Sequence, residues 1–385
     1  MITDESNSQD GESSSQEGDI EESRPGVQLK ILVVRPDRLG DVILSTPVFE
    51  VIKRHYPKSN LTVLIQENIA PIIRGLPSVD NVMIYEPSRR HAGIKGFFRL
   101  ASDLRKGNFR IAVVLQSNWR IGFAVLLSRI RYRLGPLSKF HSYFVYNRGI
   151  RQHRSHVEMH ETDYNLQLLR RLGIRVATRT IPTTIKLSEQ SREEMGKWLR
   201  EQGWDGTAPI IGVHPGMGGS ALNWPEANYI DLIRTLIQDG RKVLVSAGPL
   251  EGAIIERIQL GLGPLKDKAI YFGGADTAGI DRLAGLYSWF SLVIAPSTGP
   301  LHLAVALGKP VVTFYPPIRV QSALRWGPYI PDLDRASILV PEIYCGEDFK
   351  CRGSLCNYFP CMKGLTVAQT LEQIDYQLSK AGSKE

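Results

Sequence analysis

KILVVRPDRLGDVILSTPVFEVIKRHYPKSNLTVLIQ, residues 30–66, opens with a short apolar run, Lys30–Val34, of the kind buried on both faces as a parallel strand. A charged turn follows. From Asp41 to Pro57 the apolar side chains recur at helical spacing, and a second apolar run, NLTVLIQ, comes next. Strand, helix and strand in that order build a parallel sheet covered by helices. The pattern continues with VMIY as strand, FFRLASDLRKGN as helix and RIAVVLQ as strand, and a helix is expected near 163–172. It then restarts. SEQSREEMGKWLREQG reads as helix, PIIGVHP as strand, PEANYIDLIRTLIQDG as helix and RKVLVSAGP as strand. DTAGIDRLAGLYSWF, SLVIAPS, GPLHLAVALG and PVVTFYP repeat the alternation. The expected fold is α/β, with two Rossmann-like, doubly wound domains facing a central cleft. Their bounds are 27–180 and 181–365, and 366–385 form a C-terminal helix and tail. Ligands in such folds bind outside the carboxyl ends of the strands.

Residues 1–26 are different. They hold eight acids, one base and little apolar area, too little to offset the entropy of ordering, so they are expected to be a disordered acidic tail. They have neither the basic start nor the apolar core of a signal peptide. No run of about 18 apolar residues occurs, which excludes a membrane-spanning helix. The full chain carries +8, and subtracting the tail's −7 leaves +15 for the rest. Residues 87–156 account for most of it, with fifteen Lys/Arg against the single acid Asp103. A solvated face explains many charge runs, but this excess points to an anionic partner such as nucleic acid, anionic lipid or a phosphorylated sugar.

The four cysteines, Cys345, Cys351, Cys356 and Cys361, lack the close C-x2-C pairs of zinc fingers. Without an export signal, disulfides are not expected either. Thiols packing a C-terminal loop are the first reading, and a metal or cluster site is the alternative.

Three loops at strand ends could carry chemistry. In RPDRLGD, Gly40 allows a sharp turn and Asp41 stands at a helix start, where it could cap the helix, accept a proton, or both. Asp37 is the competing carboxylate. In HPGMGGSALNWP, Gly216, Gly218 and Gly219 let backbone N–H groups approach an anion, and Ser220 adds a hydroxyl. Neither a dinucleotide fingerprint nor a P-loop is present. In APSTGPLHLAVALG, Ser297, Thr298 and Gly299 precede a helix with Pro300 in its first turn, a suitable anion site, and His302 is within reach of the same anion.

Together, ILVVRPDRLGDVILSTPVFEVIKRHYP, HPG…NWP, AGPLE and STGPLHLAVALGKPVV resemble glycosyltransferase family 9, the lipopolysaccharide heptosyltransferase family, over roughly residues 29–378. The resemblance implies the GT-B fold and an inverting transfer of a heptose or related sugar, with a nucleotide-diphosphate sugar such as ADP-heptose as donor and no metal or other cofactor. It implies Asp41 as general base. Gly218, Gly219, Ser220, Glu251, Ser297, Thr298, Gly299 and His302 would bind the donor, Glu251 through the ribose. Arg35 or Arg38 would bind phosphate on an anionic, membrane-linked acceptor such as lipopolysaccharide core. The protein would then be cytoplasmic and peripheral to the inner membrane, with its basic segment toward the lipid.

Two positions depart from the family pattern: Ser297 stands where an aspartate is common, and Leu222 where a base is common. A lost base removes a charge-assisted contact of about 1.5–3 kcal/mol. A catalytically inactive nucleotide-sugar-binding protein is therefore the alternative. Nucleic-acid binding ranks below both, because the basic segment contains no recognisable binding module.

Overall fold

A computed structural model describes residues 28–116, 118–219, 221–273, 279–345 and 351–382. The acidic stretch 1–26 and Ser220 lie outside the described residues. The first sheet consists of β1 (Lys30–Val34), β2 (Asn60–Ile65), β3 (Asn81–Ile84), β4 (Ile111–Val114), β5 (Tyr132–Pro136) and β6 (Arg148–Ile150), in the order β3-β2-β1-β4-β5-β6. The second consists of β7 (Ile210–Val213), β8 (Lys242–Ser246), β9 (Ile270–Phe272), β10 (Phe290–Pro296), β11 (Val311–Phe314) and β12 (Ala336–Leu339), in the order β12-β11-β10-β7-β8-β9. Every strand pair is parallel, so both sheets need helical cover on both faces. Ile31, Leu32, Val33 and Val34 are all fully buried, and each such side chain contributes roughly 1.5–3 kcal/mol of burial.

The strand orders locate the site. The chain winds outward in opposite directions from the β1/β4 pair and from the β7/β10 pair, so each pair is a switch point with an open crevice at its carboxyl end. The Arg35–Asp41 loop leaves β1, and Ser297–Thr298–Gly299 leaves β10. The two crevices face one another.

The halves are joined beyond these loops. The His160 ring lies 3.0 Å from the Gly327 carbonyl, and the Tyr329 hydroxyl donates to Asp163 at 2.7 Å. The helix Glu161–Gln167 thus bridges to the segment before β12. The final helix, Val367–Gly382, packs on β10, β11 and β12, within the second half.

Three regions hold more structure than the residue pattern indicated. Helix Trp119–Leu127 and strands β5 and β6 lie inside the basic segment, helix Gly252–Leu262 and β9 follow β8, and β12 follows β11. Their strands are only three to five residues long, and basic side chains at their margins mask the apolar signal.

Candidate active site

Asp41 sits in the first turn of α1 (Leu39–Ile43), but it does not cap the helix. Arg38 is the N-cap residue, and no side-chain cap bond is made there. The Asp41 carboxylate instead accepts from Arg35 Nη2 at 2.7 Å. It keeps 22% side-chain exposure, toward a cleft of about 1310 Å³ between the two halves.

Arg35 departs from its expected role. Its side chain is 2% exposed, and it is engaged by carboxylates rather than open to a ligand phosphate. Nη2 also meets Glu161 at 3.3 Å, and Nη1 donates to the Leu115 carbonyl at 3.3 Å. Nε lies 2.8 Å from Asp37, an ion pair without hydrogen-bond alignment. Burial alone would lower the guanidinium pKa; Asp41, Glu161 and Asp37 overcome that and raise it. Arg35 therefore fixes where Asp41 points. Arg38, by contrast, is exposed on the cleft wall.

Asp37 is the weaker base candidate. Burial pushes its pKa up to about 6 against the pull of Arg35, a value that suits a base, but its side chain is only 13% exposed and does not line the cleft where a ligand would lie.

Glu161 was not singled out by the sequence. Its carboxylate is 2% exposed and pairs with Arg154 at 2.5 Å, with Arg35 at 3.3 Å and with Arg325 at 3.3 Å. Burial would raise its pKa, but Arg154, Arg35 and Arg325 outweigh it and leave the group lowered. Arg325 comes from the second half, so a single carboxylate ties both halves together behind Asp41. The three partners lie at 35, 154 and 325, and no local spacing could reveal the cluster. Arg154, Glu161, Arg325, Lys139 and Gln321 all line the cleft beside the residues that were expected there.

Across the cleft, helix Gly299–Ala306 begins with Thr298 as N-cap and Pro300 in its first turn. Its first backbone N–H groups have no helical partner and face the cavity that Ser297, Thr298, Gly299 and Pro300 line. The approach of the two halves depends on two glycines. A Cβ on Gly40 would stand 2.8 Å from His302 Cδ2, and one on Gly299 would stand 3.1 Å from Leu39. The missing side chains let α1 and this helix approach closely without displacing His302 or Leu39.

His302 lines the same cavity. It is 4% exposed, and desolvation lowers its pKa to about 4, so its ring is neutral. Nδ1 is buried without a partner. A neutral imidazole at this position can offer a hydrogen bond, but no charge. The buried Tyr315 hydroxyl, beside Ser297, donates to the Trp326 carbonyl at 2.6 Å.

Glu251 follows β8 as expected. One oxygen accepts from the Gly248 N–H at 2.8 Å and lies 3.6 Å from His214 Nε2. The carboxylate rests on Gly216, where a Cβ would fall 2.1 Å from Oε2. His214 is held neutral, lowered to about 4 by desolvation despite Glu251, and its Nδ1 lies 3.1 Å from the Ser246 hydroxyl. Gly218 lines the cleft, and Gly218 and Gly219 have φ of +58° and +73°, values that favour glycine.

The basic segment is partly consumed by the fold. Arg90 pairs with Asp103 at 2.7 Å, Arg120 donates to the carbonyls of His91 and Gly93, and Arg133 donates to those of Val145 and Ile130. Arg110, Arg131 and Arg148 gather around the Tyr132 ring at 5.9, 5.3 and 4.9 Å. The segment also exposes apolar side chains: Ile94 at 78%, Phe98 at 59%, Trp119 at 60%, Phe140 at 83% and Phe144 at 63%.

Comparison with known proteins agrees with this architecture. The family model described as glycosyltransferase family 9 (heptosyltransferase) matches residues 97–358. A Haemophilus influenzae protein described as a glycosyltransferase is 32% identical over 317 residues, 81% of this chain and 89% of that protein. The lipooligosaccharide heptosyltransferase 2 of the same organism is 23% identical over 367 residues, 91% of this chain and 100% of that protein. Among solved structures, a glycosyl transferase family 9 protein from Veillonella parvula superimposes with a TM-score of 0.78 at 21% identity, covering 92% of this chain and 98% of that one. The ADP-heptose lipopolysaccharide heptosyltransferase II of Escherichia coli gives 0.74 at 20% identity, covering 92% and 100%. The expected GT-B architecture is the one observed.

Proposed function

Because the chain belongs to glycosyltransferase family 9, we propose that this glycosyltransferase moves a heptose or related sugar from a nucleotide-diphosphate donor to an anionic, membrane-linked saccharide. ADP-heptose is the proposed donor and lipopolysaccharide core the proposed acceptor class, in line with the names of the similar heptosyltransferases. The observation that carries this reading is the meeting of α1 with helix Gly299–Ala306. It sets the Asp41 carboxylate and the open backbone N–H groups of the opposite helix on one cavity.

In the proposed mechanism, the acceptor hydroxyl lies against Asp41, which takes its proton as the oxygen attacks the anomeric carbon. The bond from that carbon to the β-phosphate oxygen breaks, and the nucleoside diphosphate leaves with its electron pair. Its new negative charge falls on the helix N-terminus at Thr298–Gly299 and on the Gly218–Gly219 turn. Attack and departure on opposite faces invert the centre. Arg35 and Glu161 hold Asp41 in place. Glu251 receives the ribose hydroxyls, and neutral His302 offers a hydrogen bond beside the diphosphate. Arg38 contacts acceptor phosphate from the cleft wall.

We place the protein in the cytoplasm, peripheral to the inner membrane. No helix among the described residues is long and apolar enough to cross a membrane. Support for surface binding comes from the exposed Ile94, Phe98, Trp119, Phe140 and Phe144. They lie on helix Gly93–Lys106, the adjoining helix Trp119–Leu127 and the turn packed on it, among the free bases of the same segment. Each base near an anionic surface contributes about 1 kcal/mol.

Titration of the purified protein with ADP-, GDP- and UDP-sugars tests the donor. Release of nucleoside diphosphate with an anionic glycolipid acceptor tests the transfer. An ADP-sugar should bind best and be consumed with inversion. Binding of none of the panel, or a retained anomeric configuration, would refute the reading.

A further inference from the structure

The sequence spaced Cys345, Cys351, Cys356 and Cys361 unlike a zinc finger, and packing of thiols in a loop was the first expectation. The structure brings all four around one small cavity of about 40 Å³, walled by Leu222, Ile318 and Phe359. Thiols used as packing groups fill space with sulfur; these four line the wall of one cavity. The backbone N–H of Gly353 donates to Cys351 Sγ at 3.3 Å, the type of contact that tunes metal-bound thiolates. We propose that this four-cysteine cavity is a metal centre, taking a thiolate-bound transition-metal ion or iron–sulfur cluster.

As the thiols stand, no group of three or more His, Cys, Asp or Glu side chains among the described residues is placed to hold a metal ion. The sulfurs line the cavity wall, and occupancy requires either thiol side chains turned inward or an occupant larger than one ion. Binding expels the thiol protons, so it strengthens as pH rises.

The site also has a place in the fold. Leu222, on its wall, donates its N–H to Gln321 Oε1 at 3.1 Å, and Gln321 lines the large cleft. A centre here would brace the second half's glycine-rich turn from behind. The inference does not depend on the donor or acceptor proposed above.

The test uses the full chain purified anaerobically, with metal analysis, acid-labile sulfide and an absorption spectrum. The expected result is about one zinc or iron per chain, or about four irons with matching sulfide in a cluster. Zinc would leave the visible spectrum empty, mononuclear iron would colour it without sulfide, and a cluster would give both colour and sulfide. Cysteines of the native protein should resist a thiol reagent until a chelator is added, a readout that needs no variant. The paired substitution Cys351→Ser with Cys356→Ser should abolish metal while the circular dichroism spectrum is kept. Metal-free protein that fails to take up zinc or ferrous iron would overturn the proposal. So would four thiols that react equally fast with and without metal, or a folded double variant that keeps its metal.

Discussion

Asp41→Asn separates the two duties of this carboxylate, anchoring Arg35 and accepting a proton. The substitution keeps an oxygen where Arg35 Nη2 now donates at 2.7 Å. An ion pair becomes a hydrogen bond from the charged guanidinium to a neutral oxygen, a loss of about 1 kcal/mol. Arg35 still meets Asp37 at 2.8 Å and Glu161 at 3.3 Å, so no buried charge is stranded. Melting should fall by only about 2–4 °C. The reaction is affected far more, because asparagine cannot take the hydroxyl proton. Turnover should fall about 10²–10⁴-fold, equivalent to about 2.7–5.5 kcal/mol of barrier, with donor affinity little changed. Initial rates of nucleoside-diphosphate release measure the turnover, calorimetric titration the affinity. Asp37→Asn is the control, because Asp37 does not line the cleft. A near-normal rate for Asp41→Asn, or an equal loss for Asp37→Asn, would refute the assignment of the base.

Glu161→Gln removes the counter-charge shared by Arg154, Arg35 and Arg325. Breaking such buried pairs costs about 3–5 kcal/mol, so thermal melting should drop far more than for Asp41→Asn. Gly216→Ala drives a methyl into the Glu251 carboxylate, and donor affinity should weaken while α1 and Asp41 are untouched, as equilibrium titration would show. Acidification should destabilise the fold. His160, His214 and His302 are lowered to about 3, 4 and 4 by desolvation, so below pH 6.5 the unfolded chain binds protons that the folded one refuses. Asp37, raised to about 6 by burial, acts in the opposite sense between pH 6 and its ordinary 3.8, because there the folded state binds the extra proton. Three groups against one leave a net loss of melting temperature from pH 6.5 downward, and Asp37→Asn should steepen it.

The alternation of buried runs and amphipathic helices determined the two parallel-sheet halves, because a strand covered on both faces must be apolar throughout, whatever its neighbours are. The glycine-rich and hydroxyl-rich loops after β7 and β10 were legible for a similar reason: an anion-binding turn before a helix is built from consecutive residues. The motifs at Asp41 and Thr298 therefore pointed to the cleft from the sequence, and Glu251 did so through the family resemblance. Tertiary structure alone decided what each charge does. Arg35 looked available to a ligand until Asp37, Asp41 and Glu161 closed around it. Asp41 looked like a cap until Arg38 took that position. Whether His302 carries a charge was open until burial made it neutral. Glu161 and the four-cysteine cavity depend on residues that meet only when distant loops, or the two halves themselves, come together. Ionisation and pairing depend on which groups converge in space and how much water remains between them, and neither is a property of local sequence.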